Sequence, residues 1–179
     1  VPTQIITIIL AMNHPHSFKR LIPQVAALGV NRIVVVRGRL TEEPHLHASI
    51  LKEDGKDGWR KAVYEGLAQG VLNRMMDVWT ARVEKYPINH AFMDSMLEEI
   101  ERGDENQYND GEPFTEKAAL LFADLPAPEN ELTLAPARKV LKNHFIRDGS
   151  SPLSKPEPLR VIIAIGPERG WTDGEHNVF

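Results

Sequence analysis

Strand, helix and strand follow one another within the first 36 residues, and that succession leaves the chain few architectures. Ile5-Ile6-Thr7-Ile8-Ile9-Leu10 is a β-branched run that predicts a buried strand. Ser17 is placed to cap a helix in which Phe18, Leu21, Ile22, Val25, Ala26 and Leu28 recur at helical spacing, and Gly29 supplies a stop. Pro23 interrupts that helix, removes one backbone donor and predicts a kink. Ile33-Val34-Val35-Val36 is the next strand. Two buried strands joined by a helix make a βαβ unit, hence an α/β fold on a parallel sheet with a right-handed crossover.

The rest of the chain extends this unit. Residues 41–58 are polar and broken by Pro44, Gly55 and Gly58. A second helix is expected from Trp59 to about Asn73, with Trp59, Val63, Leu67 and Val71 on one face. Val78–Val83 reads as a short strand. His90–Glu101 reads as a helix capped by Asn89, with Phe92, Met96, Leu97 and Ile100 as its apolar stripe. Turn formers and charge from Gly103 to Pro113 predict a loop. Ala118–Ala123 and Leu159–Ile165 complete the strands. The proline-rich stretch between them, 125–158, holds at most one short helix around Arg138–Phe145 and reads as a surface excursion. The whole, 1–179, fits one domain.

Composition removes several functions. Cysteine is absent, which excludes disulfides, thiolate metal sites and a cysteine nucleophile. No apolar run reaches membrane-spanning length, and nothing marks secretion. A cytoplasmic home is expected, or an organellar matrix in a eukaryote. The 21 Lys+Arg against 25 Asp+Glu give a net charge of −4, which opposes simple phosphate-backbone binding. Two H-x-H pairs, His14-Pro15-His16 and His45-Leu46-His47, fall in expected loops without a third ligand, so no metal is expected. There is no P-loop, dinucleotide fingerprint or G-x-S-x-G elbow.

The most informative segment runs from Arg160 to Glu175, where a buried strand passes into a glycine-bracketed turn, Gly166-Pro167-Glu168-Arg169-Gly170-Trp171. Thr172 and Glu175 have the T-x-x-E spacing of a capping box that opens a helix. In open α/β sheets, ligands bind at the carboxyl ends of strands, near helix N-termini. Gly166 and Gly170 would let backbone approach a ligand without a Cβ clash; equally, they could serve turn geometry alone.

Ile165-Gly166-Pro167-Glu168, with Gly170, a following aromatic and Glu175, resembles the I-G-P-E-G-G loop of RsmE-type SPOUT RNA methyltransferases. The similarity extends to Ala27-Leu28-Gly29-Val30 beside that family's E-L-G-V. Trp59 with Gln69 ten residues later matches its W…E-Q segment, and Asn73–Val78 matches its short basic stretch. Arg169 stands where the family has glycine, and Ala68 and Leu72 replace polar residues of its second helix.

The resemblance implies a parallel-sheet, SPOUT-like (α/β knot) methyltransferase domain. It also implies that the C-terminal knot segment and the N-terminal PUA-like barrel are missing, so the chain reads as a core segment short at both ends. Further implications are S-adenosylmethionine as cofactor, small-subunit ribosomal RNA as partner, a homodimer, and methylation of N3 of a uridine. Ile165, Gly166, Pro167, Glu168, Gly170 and Trp171 would then hold the cofactor, and Arg74, Gln69 and Arg169 would contact RNA. The catalytic candidates are Arg74, at the uracil oxygens, and Glu168, as loop former or proton acceptor. The alternative is a non-catalytic RNA- or ribosome-binding remnant of the same fold.

Overall fold

A computed structural model of the chain describes residues 4–80, 83, 88–108, 113–114, 118–123, 159–167 and 169–178. Glu168, the proline-rich 125–158 stretch and the helix expected around 138–145 lie outside the described residues. Five parallel strands form one sheet in the order β3-β2-β1-β5-β4. They are β1 (Gln4–Ala11), β2 (Arg32–Val36), β3 (Asp77–Trp79), β4 (Ala119–Ala123) and β5 (Leu159–Ile165). The expected α/β parallel-sheet class is therefore what the chain adopts.

Two-residue alternation along the central strands divides the core into two layers. Ile8, Leu10, Ile33 and Val35 face helices α1 (Pro15–Ala27) and α2 (Trp59–Gly70). Ile9, Ala11, Val34, Val36, Ile162 and Ala164 face α3 (His90–Tyr108) and the segment that opens the short α4 (Asp173–His176). Both faces of β1 and β2 are covered, which is why Ile8–Ala11 and Ile33–Val36 are continuously apolar.

α1 and α2 meet with little between their backbones. A Cβ on Gly66 would lie 2.2 Å from the Pro23 carbonyl oxygen, and one on Gly70 would lie 2.5 Å from that of Ala27. α1 continues through Pro23 to Ala27. Gly29 takes φ +79, and the Gly29 and Val30 amides close on the carbonyls of Ala26 and Val25.

Several boundaries differ from expectation. The cap of α1 is His14, whose Nδ1 accepts from the His16 amide at 3.2 Å, and not Ser17. Pro15, with φ already set for a first helical turn, starts the helix there. His16 thus lies in α1, and His45 and His47 lie in a 3-10 turn, Glu43–His47, rather than in irregular loops. α2 ends at Gly70, where Val71 adopts a left-handed φ of 54 and is 91% exposed, so Val71 is not on the buried face. β3 is confined to Asp77–Trp79, and Val83 is a buried turn residue.

The largest difference is α3, which runs through the expected Gly103 loop to Tyr108. Asn89 caps it as expected, its Oδ1 accepting from the Phe92 amide at 2.9 Å. The extension exists because Asp104 and Tyr108 find partners at the amino edge of the sheet. Asp104 Oδ1 lies 2.8 Å from Arg32, and its Oδ2 lies 3.5 Å from Arg160. Asn31 donates to the Tyr108 hydroxyl at 3.0 Å. Gly103 leaves room for the Arg32 guanidinium, 3.1 Å from where its Cβ would be. Tertiary pairing thus overrides the weak helical propensity of this polar segment.

Candidate functional site at the carboxyl edge

β1 lies between β2 and β5, and its two neighbours connect to helices on opposite faces of the sheet. The loop leaving β1 leads to α1 on one face; the loop leaving β5 leads to α4 on the other. That is a topological switch point, and the two departing loops flank the position, here called the crevice, where open α/β sheets hold ligands beyond the carboxyl ends of their strands. The glycine-bracketed loop forms one lip, Met12–His14 forms the other, and the loop after β2 closes the side.

The β5 loop is a tight turn: the Gly170 amide donates to the Pro167 carbonyl at 2.8 Å, and Gly170 takes φ +75. A side chain is disfavoured at that φ, so this glycine answers a backbone requirement. Gly166 answers a packing one, since a Cβ there would lie 3.0 Å from Cδ1 and Nε1 of Trp171. Trp171 itself is 6% exposed and stacks on Phe122, with centroids 6.0 Å apart, in the α3 layer. Phe122 also meets the edge of His176, from α4, at 4.9 Å. The loop is therefore anchored into the core by its own indole. Pro167 is buried, Ile165 half-buried and Arg169 exposed.

Glu175 ties the glycine loop to the loop after β2. It is 4% exposed, and its Oε2 accepts from the Thr172 amide at 2.9 Å and the Thr172 hydroxyl at 2.7 Å, completing the capping box. Its Oε1 accepts from the Arg39 amide at 2.6 Å, across 136 positions of chain. The loop after β2 is held further by Thr41, whose hydroxyl donates to the Met12 carbonyl at 3.0 Å. At Gly38, a Cβ would be 3.4 Å from Pro167 Cγ, so this loop abuts the β5 loop directly. Sequence reasoning identified the cap but not the Arg39 contact, which no local spacing encodes. Asn13, on the β1 lip, has a buried Oδ1 with no hydrogen-bond partner among the described residues.

Arg74 and Gln69 are elsewhere. Arg74 precedes β3, at the amino edge, with its guanidinium 4.1 Å above the Tyr108 ring. Gln69 is exposed near the end of α2. The seven residues of β5 separate the two edges by roughly 20 Å. The structure therefore brings Ile165, Gly166, Pro167, Arg169, Gly170 and Trp171 together, and leaves Arg74 and Gln69 outside that group within one chain.

Two buried ionisable groups with shifted pKa values sit at the amino edge. Burial pushes the Asp104 carboxyl up from its ordinary value, against the pull of Arg32 and Arg160. Burial likewise raises the Tyr108 hydroxyl. Among the described residues, no group of three or more histidines and carboxylates is placed to hold a metal ion. No helix among them is long and apolar enough to cross a membrane.

The fold is shared with proteins of known structure. A protein from Legionella pneumophila, described as a methyltransferase and solved with bound cofactor SAM, is similar over 98% of this chain at 16% identity and a TM-score of 0.52. A predicted RNA methyltransferase from Thermotoga maritima is similar over the full chain at 14% identity and a TM-score of 0.50. A hypothetical protein of known structure is similar over 99% of the chain at 12% identity and a TM-score of 0.54. The chain spans 69% of the length of this last protein, 55% of the Thermotoga protein and 54% of the Legionella protein. At these identities the likeness shows a shared fold. No protein-family model matches the chain, nor does any curated protein by sequence.

Proposed function

We propose that this chain is the core of an S-adenosylmethionine-dependent RNA methyltransferase that methylates N3 of a uridine in small-subunit ribosomal RNA. The observation that carries the proposal is the β1/β5 crevice. Its glycine-bracketed lip is clamped by a buried carboxylate, on a fold shared with a methyltransferase that holds SAM. The residues suit such a cofactor. Gly166 and Gly170 present backbone rather than side chain at the turn, Ile165 adds apolar surface, and the uncommitted Asn13 Oδ1 is an acceptor for a ligand N–H or O–H group.

When bound, the cofactor supplies a methyl group on a sulfonium whose leaving group is neutral. The protein's part is orientation, with donors to stabilise charge developing on the uracil oxygens as N3 loses its proton. Trp171 contributes by fixing the loop's shape, Glu168 by shaping the loop or taking the proton, and Arg169 by meeting RNA at the lip. Arg74 and Gln69, at the other edge, would contact RNA outside the crevice or reach it from a second copy in a homodimer. The arginine at position 169, in place of glycine, favours a second reading, a non-catalytic RNA-binding remnant.

The test is calorimetric titration of the protein with S-adenosylmethionine, alongside transfer of labelled methyl to ribosomal RNA with the modified base mapped. Wild type is expected to bind and to modify uridine N3. Gly166→Val, which forces the Trp171 indole aside, should lose at least about tenfold in affinity, about 1.4 kcal/mol, while far-UV circular dichroism stays native. RNA binding without cofactor binding would establish the remnant instead.

A further inference from the structure

The carboxyl edge carries cations that the chain's net charge conceals. The loop after β2 reads Arg37-Gly38-Arg39, and the β5 loop beside it carries Arg169. Arg37 is committed, 2.6 Å from Glu43. Arg39 is different: its side chain is exposed and makes no ion pair among the described residues. Its backbone is the reverse of free, with the amide fixed on buried Glu175 and Gly38 pressed against Pro167. A solvent-facing guanidinium is thus carried on backbone locked to the glycine loop, at the rim of the crevice.

We propose that Arg39 contacts a phosphate of the RNA and so sets the register of the strand across the crevice. The inference rests on the RNA methyltransferase reading above and assigns it a residue that the sequence did not single out. A guanidinium presents a planar fork of donors that matches phosphate oxygens. Phosphate contacts position a nucleic acid without reading its sequence, and that is the task of a residue fixed relative to the cofactor loop. Of the acids on the same loop, Glu43 is paired with Arg37 and Glu42 lies 3.6 Å from His45; neither forms an ion pair with Arg39 among the described residues. Arg39 and Arg169 are therefore exposed cations on neighbouring loops of a chain whose overall charge is negative.

The experiment is a salt series of binding to a small-subunit ribosomal RNA transcript and to polyuridylate, for wild type, Arg39→Ala and Arg39→Lys. S-adenosylmethionine affinity is measured on the same preparations. Arg39→Ala should weaken RNA binding by roughly three- to tenfold and reduce the slope of log affinity against log salt by about one. Arg39→Lys should recover the slope, and cofactor affinity should be the same in all three. If wild type binds both RNA and cofactor and Arg39→Ala matches it in affinity and slope, the proposal is wrong. If wild type binds neither, the methyltransferase reading falls, and this proposal with it. If polyglutamate binds in an Arg39-dependent way while RNA does not, the rim serves an acidic protein and the RNA assignment is overturned.

Discussion

At the amino edge of the sheet, polar side chains hold one another below the surface. At the carboxyl edge, one buried carboxylate, Glu175, holds loop backbone, and Arg39 and Arg169 face solvent. Arg32, 2% exposed, meets Asp104 at 2.8 Å and lies over the Trp79 ring at 4.4 Å. Arg160 meets the same carboxylate and lies over the Phe114 ring at 4.3 Å. No comparable side-chain network exists among the described residues around the glycine loop, where one carboxylate, Glu175, accepts from two amides and a hydroxyl. Perturbed, buried ionisable groups often mark functional sites. Here they mark the edge away from the crevice, and their geometry is that of a structural lock joining α3 to two strands.

Removing the shared acid should give the largest effect. Asp104→Ala leaves Arg32 and Arg160 buried with only their longer pairs, to Asp77 at 3.6 Å and Glu101 at 3.5 Å, and should cost about 3 kcal/mol, the low end for breaking a buried pair. Urea denaturation should show the loss as a lower midpoint with little change in slope. S-adenosylmethionine affinity of the folded fraction should stay at the wild-type value. A stable Asp104→Ala protein with impaired cofactor binding would erase the distinction between the edges.

The opposite pattern is expected for Glu175→Ala. Losing the α4 cap and the Arg39 amide contact should cost about 1–2 kcal/mol in the same denaturation experiment. Cofactor affinity should fall by about tenfold or more, because the two loops lose the group that sets their spacing. Glu175→Gln, which keeps an acceptor oxygen, should lie between. A Glu175→Ala protein that is destabilised but binds cofactor normally would reduce the clamp to a stability device.

How much of this was legible beforehand follows the same division. β1, β2 and β5 are buried on both faces, so their β-branched runs announced them, and the T-x-x-E spacing announced the cap of α4. α3 was read seven residues short because its last turns are polar and are stabilised by partners 72 and 77 positions away in sequence, at Arg32 and Asn31. A signal was present: Arg32 is the first residue of β2 and Arg160 the second of β5, both strands otherwise apolar, and arginines buried there require an acid from elsewhere in the chain. In the crevice, the glycines were visible. What they accommodate was not, because the Trp171 indole and the Arg39–Glu175 bond exist only once the strands are aligned.

The smallest effect expected is a gain. Val71 closes α2 with φ 54, a left-handed conformation that a β-branched residue adopts only under strain, and it is 91% exposed, so its side chain contributes little packing in return. The backbone is held there by the Leu67 carbonyl, which accepts from the amides of both Val71 and Leu72. Glycine takes this conformation without the Cβ penalty, which is about 1–2 kcal/mol, but gives some of the gain back through the greater freedom of the unfolded chain. Val71→Gly should therefore raise stability by about 0.5–1 kcal/mol, and Val71→Asn by a similar amount, read as higher urea midpoints. Cofactor affinity should not move, because the substitution lies at the amino edge, roughly 20 Å from the crevice. A gain in stability accompanied by weaker RNA binding would show that Val71 is strained in the service of a contact, and that the amino edge does more than hold the sheet together.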